Sequence, residues 1–401
     1  MKKVLIVAAK RTPIGSFGGA LKSVAAPKLG AAAIQAALEQ AGLSGKDVDE
    51  VILGNVIAAG QGMGPGRQAS ILAGVPQEIP AYTVNMICGS GMKVVMDAAA
   101  HIKAGDAEVV VAAGAENMSQ IPYLMSAKLR DGHKMGSLEM EDALIKDGLT
   151  DAFGKKHMGL LTEQIPQTLG ITREQQDAFA LNSQQRAVAA VESGRFADEI
   201  VPVEVVSRRQ TKVVDTDEYP KADATIEKLA GLRAAFTKEG TITAGNASGL
   251  NDSGSAVILA SEEAVERLGL TPIAELVSYA QAGVDPEFMG LGPVPAIRKA
   301  LQKAELSLAD MQLLEINEAF AGQALGVLKQ LEEEHGQSQQ EMMERCNMNG
   351  GAIALGHPLG ASGNRILVTL LHEMQKQGSR LGLASLCVGG GMGTAVVVKR
   401  V

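Results

Sequence analysis

The chain repeats itself, and no other feature restricts its fold as strongly. Residues 33–47 read AIQAALEQAGLSGKD and residues 296–310 read AIRKALQKAELSLAD, identical at eight of fifteen ungapped positions. A short apolar segment with strand character follows each copy, EVILGN at 50–55 and LLEIN at 313–317. Farther on, CGSG at 88–91 and GASG at 360–363 each open a helix-period segment that leads into another strand. After the first of these, Met92, Val95, Met96, Ala99 and Ile102 fall on one helix face. The chain is therefore read as a duplicated α/β unit. Residues 1–118 plus 251–271 form the N-terminal half, 272–401 the C-terminal half, and 119–250 a loop domain inserted in the first.

Composition fits such layers. With 46 Gly, no Trp and 3% aromatic residues, the core must close through small and branched aliphatic side chains. The start, MKKVLIVAAKR, imitates a signal peptide, but its apolar run stops at Ala9 and Lys10, Arg11 and Pro13 follow, so it is read as the first strand. No run of 18 uninterrupted apolar residues offers a membrane span. A net charge of -8 argues against a nucleic-acid binder. Three cysteines make no even disulfide framework in a chain this long, which points to a reducing cytoplasm and leaves thiols free for chemistry. In the insertion, SAKLRDGHKMG at 126–136 is locally basic, and EEEHGQSQQEMMER at 332–345 in the second half reads as an exposed excursion.

Four positions stand out chemically. Cys88 precedes Gly-Ser-Gly and an amphipathic helix, where free amides and the positive helix end favour a thiolate. The alternative is a small buried thiol that packs as a hydrophobe. His357 lies in the Gly-rich GGAIALGHPLGASG just before the matching helix, placed by the duplication to take a proton from Cys88 and later return it to a leaving thiol. A lone histidine is otherwise a structural residue. Cys387 enters CVGGGMG, read either as a weak dinucleotide loop or as a second acid–base thiol beside oxyanion-binding amides. Asn317 in NEAF ends the repeated strand and is read as an amide at a strand's carboxyl end or as a helix N-cap. Cys346 receives no role, and the Cys and His spacings fit no structural zinc site, so no metal is expected.

VNMICGSGMK around Cys88, NEAF at 317–320, GGAIALGHPLGASG around His357 and CVGGGMG around Cys387 resemble, in order, the four signature blocks of the thiolase family. The resemblance extends over nearly the full length and includes RTPIGSFGG at 11–19. It implies two βαβαβαββ halves in a five-layer αβαβα arrangement with an inserted loop domain. It also implies a reversible Claisen condensation of two acetyl-CoA to acetoacetyl-CoA and CoA, with no redox cofactor or metal. By motif, Cys88 would carry the acetyl group with His357 as its base, and Cys387 would take a proton from the methyl of the second acetyl-CoA. His357 and a water on Asn317 would hold the enolate oxygen, while the amides of Cys88 and Gly389 would hold the tetrahedral oxyanion. HMG at 157–159 is similar to the biosynthetic, short-chain members, in which His157 and Met158 shape the acyl pocket and Ser248, Leu149, Ala319 and Phe320 touch the pantetheine arm. The segment 126–136 resembles the tetramerisation loop of that group, implying a homotetramer built as a dimer of dimers.

Two departures from the family are visible: a longer polar stretch at 332–345, and Met392 where many relatives carry Gln. Competing readings are a degradative 3-ketoacyl-CoA thiolase of broader chain length, a condensing enzyme that uses an acyl-carrier protein, and a non-catalytic CoA- or lipid-binding protein. The second active-site thiol at Cys387 separates the thiolase reading from carrier-protein enzymes, which use a Cys with two His or with His and Asn. Two thiols around one carbon also raise the possibility of a Cys88–Cys387 disulfide on oxidation.

Overall fold

A computed structural model describes residues 2–208 and 210–401. The N-terminal half runs β1 (Val4–Arg11), α1 (Ala26–Ala41), β2 (Glu50–Gly54), α2 (Pro65–Leu72), β3 (Ala81–Val84), α3 (Ser90–Ala104), β4 (Val109–Asn117) and, beyond the insertion, β5 (Asn251–Ser261). The opening stretch thus forms the first strand; Met1 lies outside the described residues. The C-terminal half runs β6 (Ala274–Gly283), α4 (Pro293–Ala304), β7 (Leu313–Ile316), α5 (Ala321–His335), α6 (Gln339–Arg345), α7 (Leu359–Gln377), β8 (Leu381–Val388) and β9 (Met392–Arg400).

Strand order is β1-β5-β4-β2-β3 in one half and β6-β9-β8-β7 in the other, the same winding in each. Among the described residues the two sheets join where Leu5 pairs with Glu275 and Ile6 with Ala274, beside a bond from Ile273 N to Ile6 O. The strand that would match β3 is reduced to one parallel bridge, Leu314 to Cys346.

Alternation along the strands builds the layers. Val110 and Ala112 of β4 face the central core, while Val109, Val111 and Ala113 face the outer core under α1. In β9, Val396 and Val398 face inward, while Ala395 and Val397 meet α4 and α5. Between the sheets lie α3 and α7, whose Met92, Val95, Met96, Ile366, Leu370 and Met374 fill the centre. Strands covered on both faces explain why β4 and β5 are buried at every residue.

The two central helices touch through glycines. A Cβ on Gly91 would stand 2.7 Å from Asn364 N, and one on Gly363 would strike Met92 N. The matched Gly residues of CGSG and GASG therefore serve the helix crossing.

The insertion contains two short hairpins, Tyr123–Met125 with Met140–Asp142 and Val203–Val206 with Thr211–Val214, and a helix at Arg173–Glu192. It is tied to β1 by the buried Arg11, which donates from Nε to Glu199 (2.6 Å) and from both terminal nitrogens to Asp217 (2.7 and 2.8 Å). The stretch 332–345 is largely solvent-facing, as its composition suggested, but it is helical, with Met342 inside it and Leu331 and Cys346 at its edges holding it down. It forms the end of α5 and all of α6, and Leu331, Met342 and Cys346 are buried in the outer core of the C-terminal half. Three apolar residues at suitable spacing suffice to seat it, a signal hidden by the surrounding Glu and Gln.

Candidate active site

The loop after β3 turns sharply. Ile87, a β-branched residue, has φ 47°, held by a ring of hydrogen bonds. Ser90 Oγ accepts from Met86 N (2.8 Å) and donates to the Ile87 carbonyl (2.7 Å), while Asn85 Oδ1 accepts from Ile87 N (2.9 Å). The elbow presents Cys88 half-buried.

Its thiol is not the standing thiolate expected from a helix start. Burial pushes the pKa up to about 11, against the pull of N–H groups from Gly389 and from Cys88 itself, and Glu116 adds to the rise. The helix amides do not help, because Gly89 N and Ser90 N are already bonded to Met86 O and Ile87 O. The proton must therefore be removed by a neighbour.

The C-terminal half supplies one. His357 follows Gly356, whose φ of 111° and the Asn251 side chain standing where a Cβ would go require glycine. Asn251 Oδ1 accepts from His357 N (2.9 Å). Ser362 Oγ donates to Pro358 O (2.9 Å), so its 2.7 Å contact with His357 Nδ1 has the ring as donor. That fixes the tautomer and leaves Nε2 as a bare lone pair, buried and without a protein partner. Burial, and then Arg365, lower the imidazole pKa to about 4, keeping it neutral.

Asn317 follows β7 directly. The next helix starts at Ala321 with Phe320 as its cap, so Asn317 is not an N-cap. Both its amide atoms are buried and unpartnered. Cys387 is the penultimate residue of β8 and is buried; burial raises its pKa, and Cys88 adds to the rise. The turn beyond it, with Gly390 and Gly391 at φ 82° and 83°, carries Gly389 so that its N–H meets the Cys88 sulfur. No dinucleotide loop forms there, since a strand rather than a helix follows.

A cavity of about 270 Å³ gathers Cys88, His357, Cys387, Gly389, His157, Met158, Ser248, Leu149, Ala319 and Phe320. Its walls also include Met118, Gly148, Phe236 and Met289, which motif reading missed because they stand in no glycine-rich or repeated block. Ser362 and Asn251, equally missed, orient His357; the position of Ser362 five residues after His357 was the available signal.

His157 stacks on Phe236 (centroids 4.8 Å apart, 27° between planes), and Phe236 meets Phe320 edge-on at 6.3 Å. His157 Nδ1 accepts from Gly159 N (3.1 Å), so its other nitrogen carries the proton. Ser248 N donates to Ala319 O (2.9 Å), binding the insertion to the NEAF segment. The result is a narrow, largely apolar slot ending at two thiols and a neutral imidazole. It can hold a flexible amide-bearing arm and attack a carbonyl at its inner end. A larger groove of about 530 Å³, between the Arg173–Glu192 helix and α6, contains none of these residues.

A family model described as "Thiolase, N-terminal domain" matches residues 4–263, and one described as "Thiolase, C-terminal domain" matches residues 270–400. The chain is 53% identical over 399 residues to an acetyl-CoA acetyltransferase of Chromobacterium violaceum, covering 99% of this chain and 100% of that one. Among solved structures, acetyl-CoA acetyltransferase from Syntrophomonas wolfei superposes with a TM-score of 0.97 at 41% identity, covering 100% of both chains. Human mitochondrial 3-ketoacyl-CoA thiolase in complex with CoA superposes with a TM-score of 0.93 at 44% identity, covering 100% of this chain and 98% of that one.

Proposed function

The chain belongs to the thiolase family, and we infer on that footing that it is an acyltransferase catalysing the acetyl-CoA C-acetyltransferase reaction, two acetyl-CoA giving acetoacetyl-CoA and CoA. One observation carries the assignment of roles: the slot that holds both thiols is lined by an imidazole whose Nε2 has no partner among the described residues.

In the proposed sequence, His357 Nε2 takes the Cys88 proton and the sulfur attacks the acetyl-CoA carbonyl. The N–H groups of Cys88 and Gly389 stabilise the oxyanion. CoA leaves as a thiolate and takes the Cys387 proton, so acetyl-Cys88, a Cys387 thiolate and a protonated His357 remain. That thiolate removes a proton from the methyl group of the second acetyl-CoA. The enolate oxygen is held by His357 Nε2–H and by a water on Asn317, and its carbon attacks acetyl-Cys88. Cys88 departs and recovers its proton from His357. Every proton is accounted for by these groups, so the proposal includes no metal or redox cofactor.

For substrate binding we assign His157 and Met158 to the acyl pocket and Leu149, Ser248, Ala319 and Phe320 to the pantetheine arm, in keeping with their place on the slot. Among the described residues no helix is long and apolar enough to cross a membrane. Three free cysteines suit a reducing compartment, and we propose a cytoplasmic location. A homotetramer is proposed from the exposed Tyr123, Met125, Leu129, Leu138 and Met140 on and around the first hairpin of the insertion. Analytical ultracentrifugation tests it; a monomer at micromolar concentration would refute it.

The structural likeness to a 3-ketoacyl-CoA thiolase supports a second reading of broader chain length. Steady-state thiolysis of acetoacetyl-CoA against a ketoacyl-CoA of about eight carbons decides between them. Preference for acetoacetyl-CoA supports the short-chain reading; comparable rates would sink it.

A further inference from the structure

One buried carboxylate outside this machinery ties its two sides together. Glu116 is the penultimate residue of β4, as Cys387 is of β8, and it is fully buried. Four donors converge on it. Oε2 accepts from Val56 N (3.0 Å) and Gly360 N (2.9 Å), and Oε1 accepts from Asn55 Nδ2 (3.1 Å) and Ile57 N (3.3 Å). Two donors per oxygen is the pattern of an acceptor-only carboxylate at the start of a helix, where the macrodipole also favours negative charge. Burial raises its pKa to about 7 even though these four bonds pull it down.

The donors are the supports of the two reactive loops. Gly360 lies in the first turn of α7, three residues beyond His357, and a Cβ there would stand 2.8 Å from Glu116 Oε2 and 2.9 Å from Asn55 Cα. Val56 on the other side passes the constraint on: its carbonyl accepts from Asn85 Nδ2 (2.9 Å), and Asn85 Oδ1 holds Ile87 N, the residue before Cys88. A continuous path of hydrogen bonds thus runs from the His357 turn to the Cys88 elbow, with Glu116 at its middle.

We propose that Glu116 is a positioning residue for acyl transfer, its carboxylate fixing the register between the His357 turn and the Cys88 elbow. This rests on the thiolase activity assigned above for its kinetic test, though not for its chemical one. Glu116 also places a negative charge near the Cys88 thiol, which is otherwise faced by Cys387 and His357, with Arg365 acting on His357.

Glu116→Gln keeps the volume but turns one acceptor into a donor facing two N–H groups. We expect kcat for acetoacetyl-CoA thiolysis to fall on the order of 10²-fold with KM nearly unchanged, as for a misplaced catalytic pair. The pH midpoint of Cys88 alkylation by iodoacetamide should move down, because the charge opposing the thiolate is gone. A lost scaffold would not produce that shift. Wild-type kcat together with an unmoved alkylation midpoint overturns the proposal. Should Glu116→Gln fail to fold, Asn55→Ala removes one donor and keeps the charge. It should lower kcat by roughly tenfold, the effect of about 1.4 kcal/mol, with the midpoint unmoved; a folded Asn55→Ala at wild-type kcat also overturns it. Alkylation needs no acyl-CoA, so absent thiolysis in the wild type would sink the activity reading while leaving the midpoint test in force.

Discussion

The two halves share a winding order and a helix-to-helix contact, yet the asparagines that follow their repeated strands, Asn55 and Asn317, are treated differently. In the N-terminal half Asn55 and Glu116 stand at strand ends with their bonds made: Asn55 donates to Ala115 O (3.0 Å) and to Glu116, and Glu116 accepts four N–H groups. In the C-terminal half Asn317 and His357 keep buried polar atoms with no protein partner. A buried unpaired donor or acceptor costs about 1–3 kcal/mol, so the second half is the one held ready for a ligand. The duplication thus separates two tasks. One copy bonds Asn55 and Glu116 into the support of an elbow that presents a thiol, and the other brings an imidazole and a second thiol to the same cavity.

The sharpest test of that division is the thiol carried by the elbow. Cys88→Ser should abolish acetyl transfer, and intact mass after incubation with acetyl-CoA should find no acetyl adduct; a labelled variant would refute the assignment. His357→Ala should lower kcat by about 10²–10⁴-fold, the usual worth of a positioned acid–base group, with the thermal midpoint held. Asn317→Ala should cost about 10²-fold, in the range for one oxyanion donor, and an increase in KM alone would show that it merely binds substrate.

The pH profile sharpens the same contrast. His357 titrates at about 4 and Cys88 at about 11, so the reactive pair of neutral imidazole and neutral thiol persists between those values. The plot of kcat/KM against pH should carry no limb from His357 or Cys88 through neutrality. The limb expected there comes from Glu116, raised by burial to about 7, and one near the ordinary histidine value of about 6.5 that survives Glu116→Gln would contradict this. The smallest effects belong to what the halves have in common. Gly91→Ala and Gly363→Ala should each destabilise by about 1–3 kcal/mol through overpacking at the α3–α7 crossing. Thermal melts with similar losses would confirm that this contact is shared, and a loss in only one would break the symmetry.

Much of this was legible in the chain. The ungapped repeat at 33–47 and 296–310 specified a duplicated α/β fold, because helix and strand periods survive divergence of the residues between them. Three glycine-rich blocks singled out Cys88, His357 and Cys387, since groups at loop ends need close backbone approach, and Asn317 was marked by its place after the repeated strand. At 332–345 composition read the exposure but hid the helix, which Met342 and the flanking Cys346 anchor to the outer core.

Sequence by itself thus determined the architecture and singled out the candidate reacting groups. Only the tertiary structure decided their protonation and orientation: that Cys88 is a thiol rather than a thiolate, that Ser362 aims the bare nitrogen of His357 at the slot, and that Glu116 links the two loops. Those properties arise from burial and from hydrogen bonds between residues up to 244 positions apart, and desolvation and partner geometry exist only once the layers have closed.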